Sequence, residues 1–326
     1  MTASYIMGAF WWRLAWLALA GFFLIHLLVG TAVALLARRA FRFADGLRPQ
    51  SAARFLLAMR LFPAAASIFV VAAVCVPSYL WLEPDSPLEQ VGPLCLAAAE
   101  LAVLVWLLSI GRGIRVVAQS FRYLRRWRSQ DWPERVSGFD APIWVIESHV
   151  PFLALAGILR PRLIATHGLL NTLSADQLAA ALRHEQAHRV SRDNLKRLAM
   201  HCAPGLFFFA SGFDTLERGW AKFAERAADD SAIAKDPDSA LSLAEALVHV
   251  ARMGGAPQSL PLVTPLLADR TELHARVERL LHPTPAANPV WRFRLTMCAA
   301  TGTLTAILLA PWTLRLVHEL LENLTR

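Results

Sequence analysis

The stretch Leu182-Arg-His-Glu-Gln-Ala-His-Arg-Val-Ser-Arg-Asp-Asn194 carries the strongest signal in this sequence. It places His184 and His188 four residues apart, and residues four apart share one face of an α-helix, so both imidazoles can reach one tetrahedral zinc ion. Glu185 is turned by about 100° from His184, which keeps its carboxylate off the ion but close to a water molecule. The pattern predicts a hydrolytic zinc site with Glu185 as the general base.

A second acidic segment, Phe223-Ala-Glu-Arg-Ala-Ala-Asp229, is expected to complete the site. A catalytic zinc ion needs a third protein ligand while one position stays open. Glu225 is the best candidate for that ligand. Asp229, four residues later on a predicted helix, would accept a hydrogen bond from a ligand histidine and fix its tautomer. Taken alone, this segment also fits a solvated, charged helix face.

Other polar residues leave their roles open. Asp193, five residues after His188, either orients a histidine or stabilises the helix end, and the sequence favours the second role. Stabilisation of the transition state could come from Arg276 or from one of six histidines without a pairing pattern, which are His149, His167, His201, His249, His274 and His282.

The composition predicts a membrane protein. Apolar residues make up 56% of the chain and charged residues 18%, as expected when part of the surface faces lipid. The formal charge of +8 comes from arginines beside apolar segments, where they set topology and meet anionic lipid head groups. No nucleic-acid motif accompanies them, so direct nucleic-acid binding is not expected. The four cysteines lie in apolar runs without metal-ligand spacing.

Four apolar stretches are long enough to cross a bilayer, which takes about 20 helical residues. They are Phe10–Ala37, Phe55–Leu82, Val91–Ile110 and Leu295–Val317. The loop 38–54 carries five arginines and one acid, whereas 83–89 carries three acids and no base. The positive-inside rule then places the N-terminus outside and residues 112–294 in the cytoplasm. We therefore predict a multi-pass protein of a bacterial inner membrane.

The predicted cytoplasmic part mixes strands and helices. Strands are expected at Pro142–Glu147 and Arg162–Thr166, and a capping box of Ser174 and Gln177 begins a long helix whose apolar pattern runs to Leu198. Further helices are predicted at 215–234, 238–253 and 271–282. The apolar run Leu198–Phe213 contains Pro204-Gly205 and favours a buried or membrane-dipping hairpin, with two tilted spans as the alternative.

The chain is thus predicted to be mainly α-helical and to have three parts. Residues 1–116 form a three-helix transmembrane region, and residues 117–290 form a cytoplasmic α+β zinc metallopeptidase domain. Residues 291–326 form the fourth transmembrane helix and a short external tail.

The motif Leu182–Asn194 resembles the signature of the antirepressor membrane metallopeptidases of the BlaR/MecR type, metallopeptidase family fifty-six. Gly157–Leu163, the helix start at Leu173-Ser174 and the Glu225…Asp229 pair are similar too. The resemblance covers about 140–235 well and Leu273–Leu281 weakly. It implies a gluzincin-like fold in which His184, His188 and Glu225 bind zinc and Glu185 is the base. It also implies cleavage of a cytoplasmic target, typically a transcriptional repressor, after an external signal.

The resemblance has one departure and one close alternative. Sensors of that family carry a large extracellular ligand-binding domain after the last span, whereas this sequence ends about ten residues beyond its predicted last span, so beta-lactam sensing by this chain alone is not expected. The membrane peptidases of heat-shock quality control and prenyl-protein processing share the zinc motif and are the nearest enzymatic alternative.

The functional hypothesis is a membrane-embedded zinc endopeptidase whose partners are a protein substrate and the lipid bilayer. The substrate would lie extended, and the strand Arg162–Thr166 could offer a sheet edge for backbone pairing. A membrane scaffold or signal transducer whose metal is structural or absent is the alternative from another class. Glu185 argues against it, because a purely structural metal site has no use for that carboxylate.

Overall fold

The computed structural model describes residues 2–82, 92–127, 133–134, 143–149, 151–159, 161–205, 210–234, 236, 238–253, 263–265 and 272–282. Long helices form its first part. Helix α1 spans Thr2–Asp45 and α2 spans Pro49–Val70. A π-helical turn, Val71–Cys75, joins α2 to α3, Val76–Leu82. Helix α4 spans Pro93–Trp127.

Three of these helical stretches are long and apolar enough to cross a membrane: Phe10–Asp45, Pro49–Trp81 and Pro93–Arg122. They confirm the first three predicted membrane segments as helices. The predicted fourth segment, Leu295–Val317, and the acidic loop 83–89 lie outside the described residues.

The outer faces of the long helices are apolar. Leu28 and Leu35 of α1 are 74% and 78% exposed, and Leu107 of α4 is 62% exposed. Such a continuous apolar surface would favour aggregation in water, whereas lipid tails match it chemically. The exposure pattern therefore supports a membrane protein.

A five-stranded mixed sheet follows, in the order β1-β2-β4-β3-β5. Strand β2 pairs in parallel with β4, and the other pairs are antiparallel. The strand bounds are Pro133–Glu134 for β1, Ile143–Ile146 for β2, Leu153–Ala156 for β3, Arg162–Thr166 for β4 and Val263–Pro265 for β5.

The sheet confirms two predicted strands and corrects one expectation. Strand β4 has β2 on one side and β3 on the other, so it offers no free edge, and the expectation that Arg162–Thr166 pairs with a substrate is wrong. Sequence patterns missed β3, because Leu153-Ala-Leu-Ala156 is buried on both faces and lacks the alternation of a half-exposed strand.

After the short helix α5, His167–Thr172, the capping box of Ser174 and Gln177 begins α6, Ala175–Ser191, as predicted. The single long helix predicted through Leu198 is wrong. Arg192 adopts the left-handed conformation, with φ 55° and ψ 43°, which ends α6. A separate helix, α7, then spans Asp193–Cys202.

The last helices agree with the prediction within a few residues. Helix α8 spans Ala210–Ile233, α9 spans Ser239–Arg252 and α10 spans Leu273–Leu281. Helices α6 and α9 share one apolar core with the sheet and α10. The first half of α8 belongs to a different core, which it forms with α1 and α2.

The predicted hairpin Leu198–Phe213 corresponds to the end of α7 and the start of α8, although residues 206–209 lie outside the described part. Arg112 of α4 donates a hydrogen bond to the carbonyl of Ala203 at 3.4 Å. Phe213 is buried beneath the Arg60 guanidinium, whose central carbon lies 4.4 Å from the ring centre. These contacts support the buried form of the hairpin.

Candidate metal centre

Helix α6 brings three polar side chains into the interior of the domain. His184 and Glu185 are fully buried, and His188 is 1% exposed. Burying two imidazoles and a carboxylate without partners would cost several kcal/mol, roughly 2–7 per group. The described structure therefore has to satisfy them through neighbouring groups or a bound ion.

Glu225 of α8 lies against both imidazoles. Its carboxylate oxygens are 3.5 Å from Nε2 of His184 and 3.6 Å from Nε2 of His188, and the two Nε2 atoms are 3.2 Å apart. Ligands about 2.0–2.1 Å from a tetrahedral zinc ion are separated by roughly 3.3 Å. The two imidazole nitrogens are thus spaced like two corners of a zinc coordination sphere, and Glu225 presents one carboxylate oxygen towards each of them.

The three residues also form a group that could hold a metal ion by their chemistry. Two neutral imidazoles and a carboxylate suit zinc, and they leave a fourth position open for water or substrate. Both oxygens of Glu185 are buried beside them and accept no hydrogen bond from any described residue. This combination is what the sequence analysis expected of His184, His188, Glu225 and Glu185.

Asp229 and Arg276 support the first imidazole. The Oδ1 atom of Asp229 lies 2.9 Å from Nδ1 of His184, on the ring side opposite Nε2. Arg276 of α10 donates two hydrogen bonds to Asp229, at 2.9 and 2.7 Å, and approaches Glu225 at 3.1 Å. A carboxylate on the second ring nitrogen fixes the tautomer that leaves Nε2 free for a metal.

Asp193 supports the second imidazole in the same way. Its Oδ2 atom lies 2.7 Å from Nδ1 of His188, while its Oδ1 atom accepts hydrogen bonds from Ser191 and Lys196 at 2.7 and 2.9 Å. The left-handed conformation of Arg192 ends α6, so that Asp193 begins a separate helix, α7, beside His188. Asp193 therefore both orients a histidine and holds the helix end.

The electrostatics of the cluster fit a cation. Burial would lower the pKa of His188, but the Glu225 and Asp193 carboxylates outweigh it and raise that pKa to about 10. Burial would raise the pKa of Glu225, yet His188 and Arg276 hold it well below its usual range. Both shifts show that the buried carboxylates of the cluster attract positive charge. A divalent ion between the imidazoles would supply such a charge.

Glu185 differs from the other acids because burial dominates its environment and raises its pKa to about 7. A carboxylate with a pKa near neutrality can take a proton from water and return it in the same catalytic cycle. Its position next to the imidazoles and its freedom from hydrogen bonds suit that role.

The structure shows which of the candidates for transition-state stabilisation lie at the site. Arg276 contacts the centre through Asp229 and Glu225. None of the six other histidines belongs to the metal group found among the described residues. His167 lies beside Glu147 at 3.3 Å and His249 beside Gln177 at 3.4 Å.

Sequence reasoning missed the role of Asn194. Its Nδ2 atom donates to the carbonyls of Leu155 and Gly157, at 3.2 and 2.8 Å, and so ties the end of β3 to the start of α7. Its position directly after Asp193, at the end of the motif Leu182–Asn194, was the signal that could have indicated this role.

Two openings flank the centre. The first, which we call the β3 pocket, has a volume of about 510 Å³ and runs from His188 to Leu155, Leu159 and Leu195. The second, the α8 groove, has a volume of about 390 Å³ and runs along α8 from Glu225 to Thr215. Each opening reaches a different one of the candidate metal ligands.

Comparison with known families agrees with the site. The model of peptidase family M48 matches residues 138–253, a range that contains the two histidines, Glu185, Glu225 and Asp229. The match supports a zinc metallopeptidase domain related to the heat-shock and prenyl-protein-processing peptidases. The narrower resemblance to the BlaR/MecR type stays a prediction. No curated protein matches the chain.

Proposed function

We propose that this chain is a membrane-embedded zinc endopeptidase that hydrolyses peptide bonds of a cytoplasmic or membrane-associated protein. The observation that carries the proposal is the convergence of His184, His188 and Glu225. The two Nε2 atoms are 3.2 Å apart, and Glu225 places Oε2 3.5 Å from the first and Oε1 3.6 Å from the second. A buried Glu185 without hydrogen bonds lies next to them. A structural zinc site would be closed by four ligands, whereas this one has three and a carboxylate beside the open position.

Each polar residue of the site has a separate role in the proposed hydrolysis. His184, His188 and Glu225 would hold zinc, which when bound polarises the scissile carbonyl and makes water easier to deprotonate. Glu185 takes the proton of the attacking water and passes it to the nitrogen of the leaving amine. Asp229 and Asp193 keep the imidazoles in the ligating tautomer throughout.

The two openings support an endopeptidase over an exopeptidase. A terminal-residue peptidase needs a site closed on one side, with a charged group that binds the free terminus. Here the β3 pocket leads away from His188 and the α8 groove leads away from Glu225. An extended chain with its scissile bond at the metal could continue in both directions.

The charge distribution supports an orientation in a bacterial inner membrane with the peptidase domain in the cytoplasm. Residues 38–54, which comprise the end of α1, the short loop after it and the start of α2, are rich in arginine, as is the end of α4, and the cytoplasmic sides of membrane helices carry such an excess. The substrate would then be a cytoplasmic protein or the cytoplasmic part of a membrane protein.

Two physiological roles fit this site. The BlaR/MecR resemblance favours cleavage of a transcriptional repressor in signalling, and the M48 match favours quality control of membrane proteins. The two roles can be separated by comparing which proteins persist in cells with and without the enzyme. Loss of repressor cleavage should leave one defined protein uncleaved, whereas loss of quality control should leave many damaged membrane proteins.

The substitution Glu185→Gln tests the proposal. The purified variant should retain one zinc ion per chain and lose hydrolysis of a quenched-fluorescence peptide library, because the amide cannot accept the proton of water. The control is Glu278→Gln, which changes an exposed glutamate of α10. Unchanged hydrolysis by the Glu185 variant would contradict the assignment of the base, whereas absence of hydrolysis by the wild-type protein would favour a non-catalytic signal transducer.

Trapping on the same variant identifies the substrate. Proteins that stay bound to Glu185→Gln in membranes, and not to the same variant after zinc is removed by a chelator, are candidate substrates for mass spectrometry.

A further inference from the structure

The α8 groove has the dimensions of a short peptide. Its lining residues on α8 run from Thr215 to Glu225, a rise of about 15 Å along the helix. An extended chain advances about 3.3 Å per residue, so about four residues of a substrate would fit beside this helix. Phe41, near the end of α1, forms part of the wall, so the groove begins at the membrane helices and ends at the candidate metal ligand Glu225.

The charges of the groove are mostly positive. Its cationic lining side chains are Arg197, Arg218, Lys222 and Arg276, and its acidic ones are Glu225 and Glu272. Arg276 is neutralised by Asp229 and Glu225, and Lys222 lies 3.4 Å from Glu272. The other two cations of the lining, Arg197 and Arg218, form no ion pair with an acidic side chain of the lining.

Arg197 lies where an anion would be held strongly. The Nε atom of Arg197 is buried and has no hydrogen-bond partner among the described residues. The guanidinium lies over the ring of Trp220, 5.5 Å from its centre. A buried donor without an acceptor is unfavourable, and a bound carboxylate would accept its hydrogen bond and remove that penalty.

Resting on the proposed peptidase function, we propose that the α8 groove binds an acidic segment of the protein substrate. Arg197 and Arg218 are the residues that determine this specificity, by pairing with carboxylates within about four residues of the scissile bond. The occupant is a peptide and not an anionic lipid because the groove leads directly to Glu225, at the reacting centre.

Binding to the inactive Glu185→Gln protein, loaded with zinc, tests the groove separately from catalysis. The probes are two fluorescein-labelled peptides of equal length that differ only in having glutamate or glutamine at four successive positions. The glutamate peptide should bind about tenfold more tightly at low salt, as measured by fluorescence anisotropy. The difference should shrink as added salt screens the charges.

Substitutions in the groove should remove that preference. Arg197→Glu should abolish it and Arg197→Lys should restore part of it. Arg197 also contacts Trp220, so its replacement could disturb packing. Arg218→Glu is therefore the second variant, because Arg218 is exposed and its Nε donates to the Asp214 carbonyl of its own helix. The matched control is Arg115→Gln, which removes an exposed arginine of α4 outside the groove and should leave the tenfold preference intact.

The outcomes separate the two proposals. Equal binding of the two peptides, or an Arg218→Glu variant that still prefers glutamate, would overturn the specificity assignment and leave the peptidase in place. A clear preference for glutamate without hydrolysis by the wild-type protein would instead contradict the peptidase. If both arginine substitutions weaken binding to phosphatidylglycerol vesicles but not to the glutamate peptide, the groove binds lipid and the proposal fails.

Discussion

Arg60 of α2 donates a 2.7 Å hydrogen bond to Glu217 of α8, and a second one, at 3.0 Å, to the carbonyl of Met200 at the end of α7. Arg60 is buried, and Glu217 is eight residues before Glu225, which is about 12 Å along the helix. One guanidinium in a membrane-spanning helix thus holds both α7 and α8. The helix that carries Glu225, the candidate third ligand, is therefore held against the candidate membrane helices.

Replacing Arg60 should destabilise the protein. We expect Arg60→Met to lower the free energy of unfolding by about 1.5–3 kcal/mol, because it leaves a partly buried carboxylate and a carbonyl without their donor. The measurement is thermal unfolding in detergent, for Arg60→Met, Glu217→Gln and the double variant. The double variant should lose less than the sum of the two single changes, and strict additivity would show that the pair does not interact.

Substituting Gly212 should separate α8 from α1. A Cβ atom at this position would lie 2.7 Å from Cα and 2.8 Å from the carbonyl oxygen of Ala34, and backbone cannot move aside as a side chain can. Gly212→Ala should therefore cost about 1–3 kcal/mol, which corresponds to several degrees in the unfolding midpoint.

The control for that change is Gly111→Ala in α4, because a Cβ there meets nothing within 4 Å. It should leave stability unchanged or raise it by up to about 1 kcal/mol, since alanine favours a helix more than glycine does. Equal effects of the two substitutions would mean that α1 and α8 do not pack as closely as the structure indicates.

Substituting Asp229 should weaken zinc binding without removing a ligand. Asp229→Asn keeps the shape of the side chain but removes the charge that faces His184 and Arg276. We expect zinc affinity to fall by about 10–100-fold, as measured by competition with a chromogenic chelator. Asp230→Asn on the same helix is the control, because Asp230 pairs with Arg279 and not with a histidine. Similar affinities for both variants would rule out a supporting role for Asp229.

Substituting Asn194 should affect stability more than metal binding. Asn194→Ala removes both hydrogen bonds to the end of β3 and should lower the free energy of unfolding by about 1–3 kcal/mol. The zinc content should stay at one ion per chain. Asn171→Ala, at an exposed position of α5, should change neither property. Loss of zinc from the Asn194 variant would show that β3 helps to shape the metal site.

Local features of the site could be predicted from the sequence because helix geometry alone fixes them. The spacing of His184 and His188 places both imidazoles on one face in any α-helix, and Ser174 with Gln177 marks where that helix begins. Runs of apolar residues likewise predicted four membrane-length helices, and three of them lie among the described residues. These inferences need only neighbouring residues, so tertiary structure could not change them.

Contacts between distant segments were decided only by packing. Asp229 and Arg276 are 47 residues apart, and no local rule pairs them. The left-handed turn at Arg192 interrupts an apolar pattern that continues on both sides, so periodicity predicted one helix where there are two. Strand β4 was expected to offer an edge and lies between β2 and β3 instead, because the pairing of strands depends on chain segments far away in sequence.

The sequence by itself therefore determined which side chains are available for zinc chemistry and that the chain has membrane-length helices. Tertiary packing fixed which imidazole meets which carboxylate, and it placed α8 against both α6 of the candidate metal centre and the candidate membrane helices α1 and α2. The physical reason is that helix periodicity is a property of adjacent residues, whereas the close approach of Gly212 to Ala34 exists only after both helices have packed.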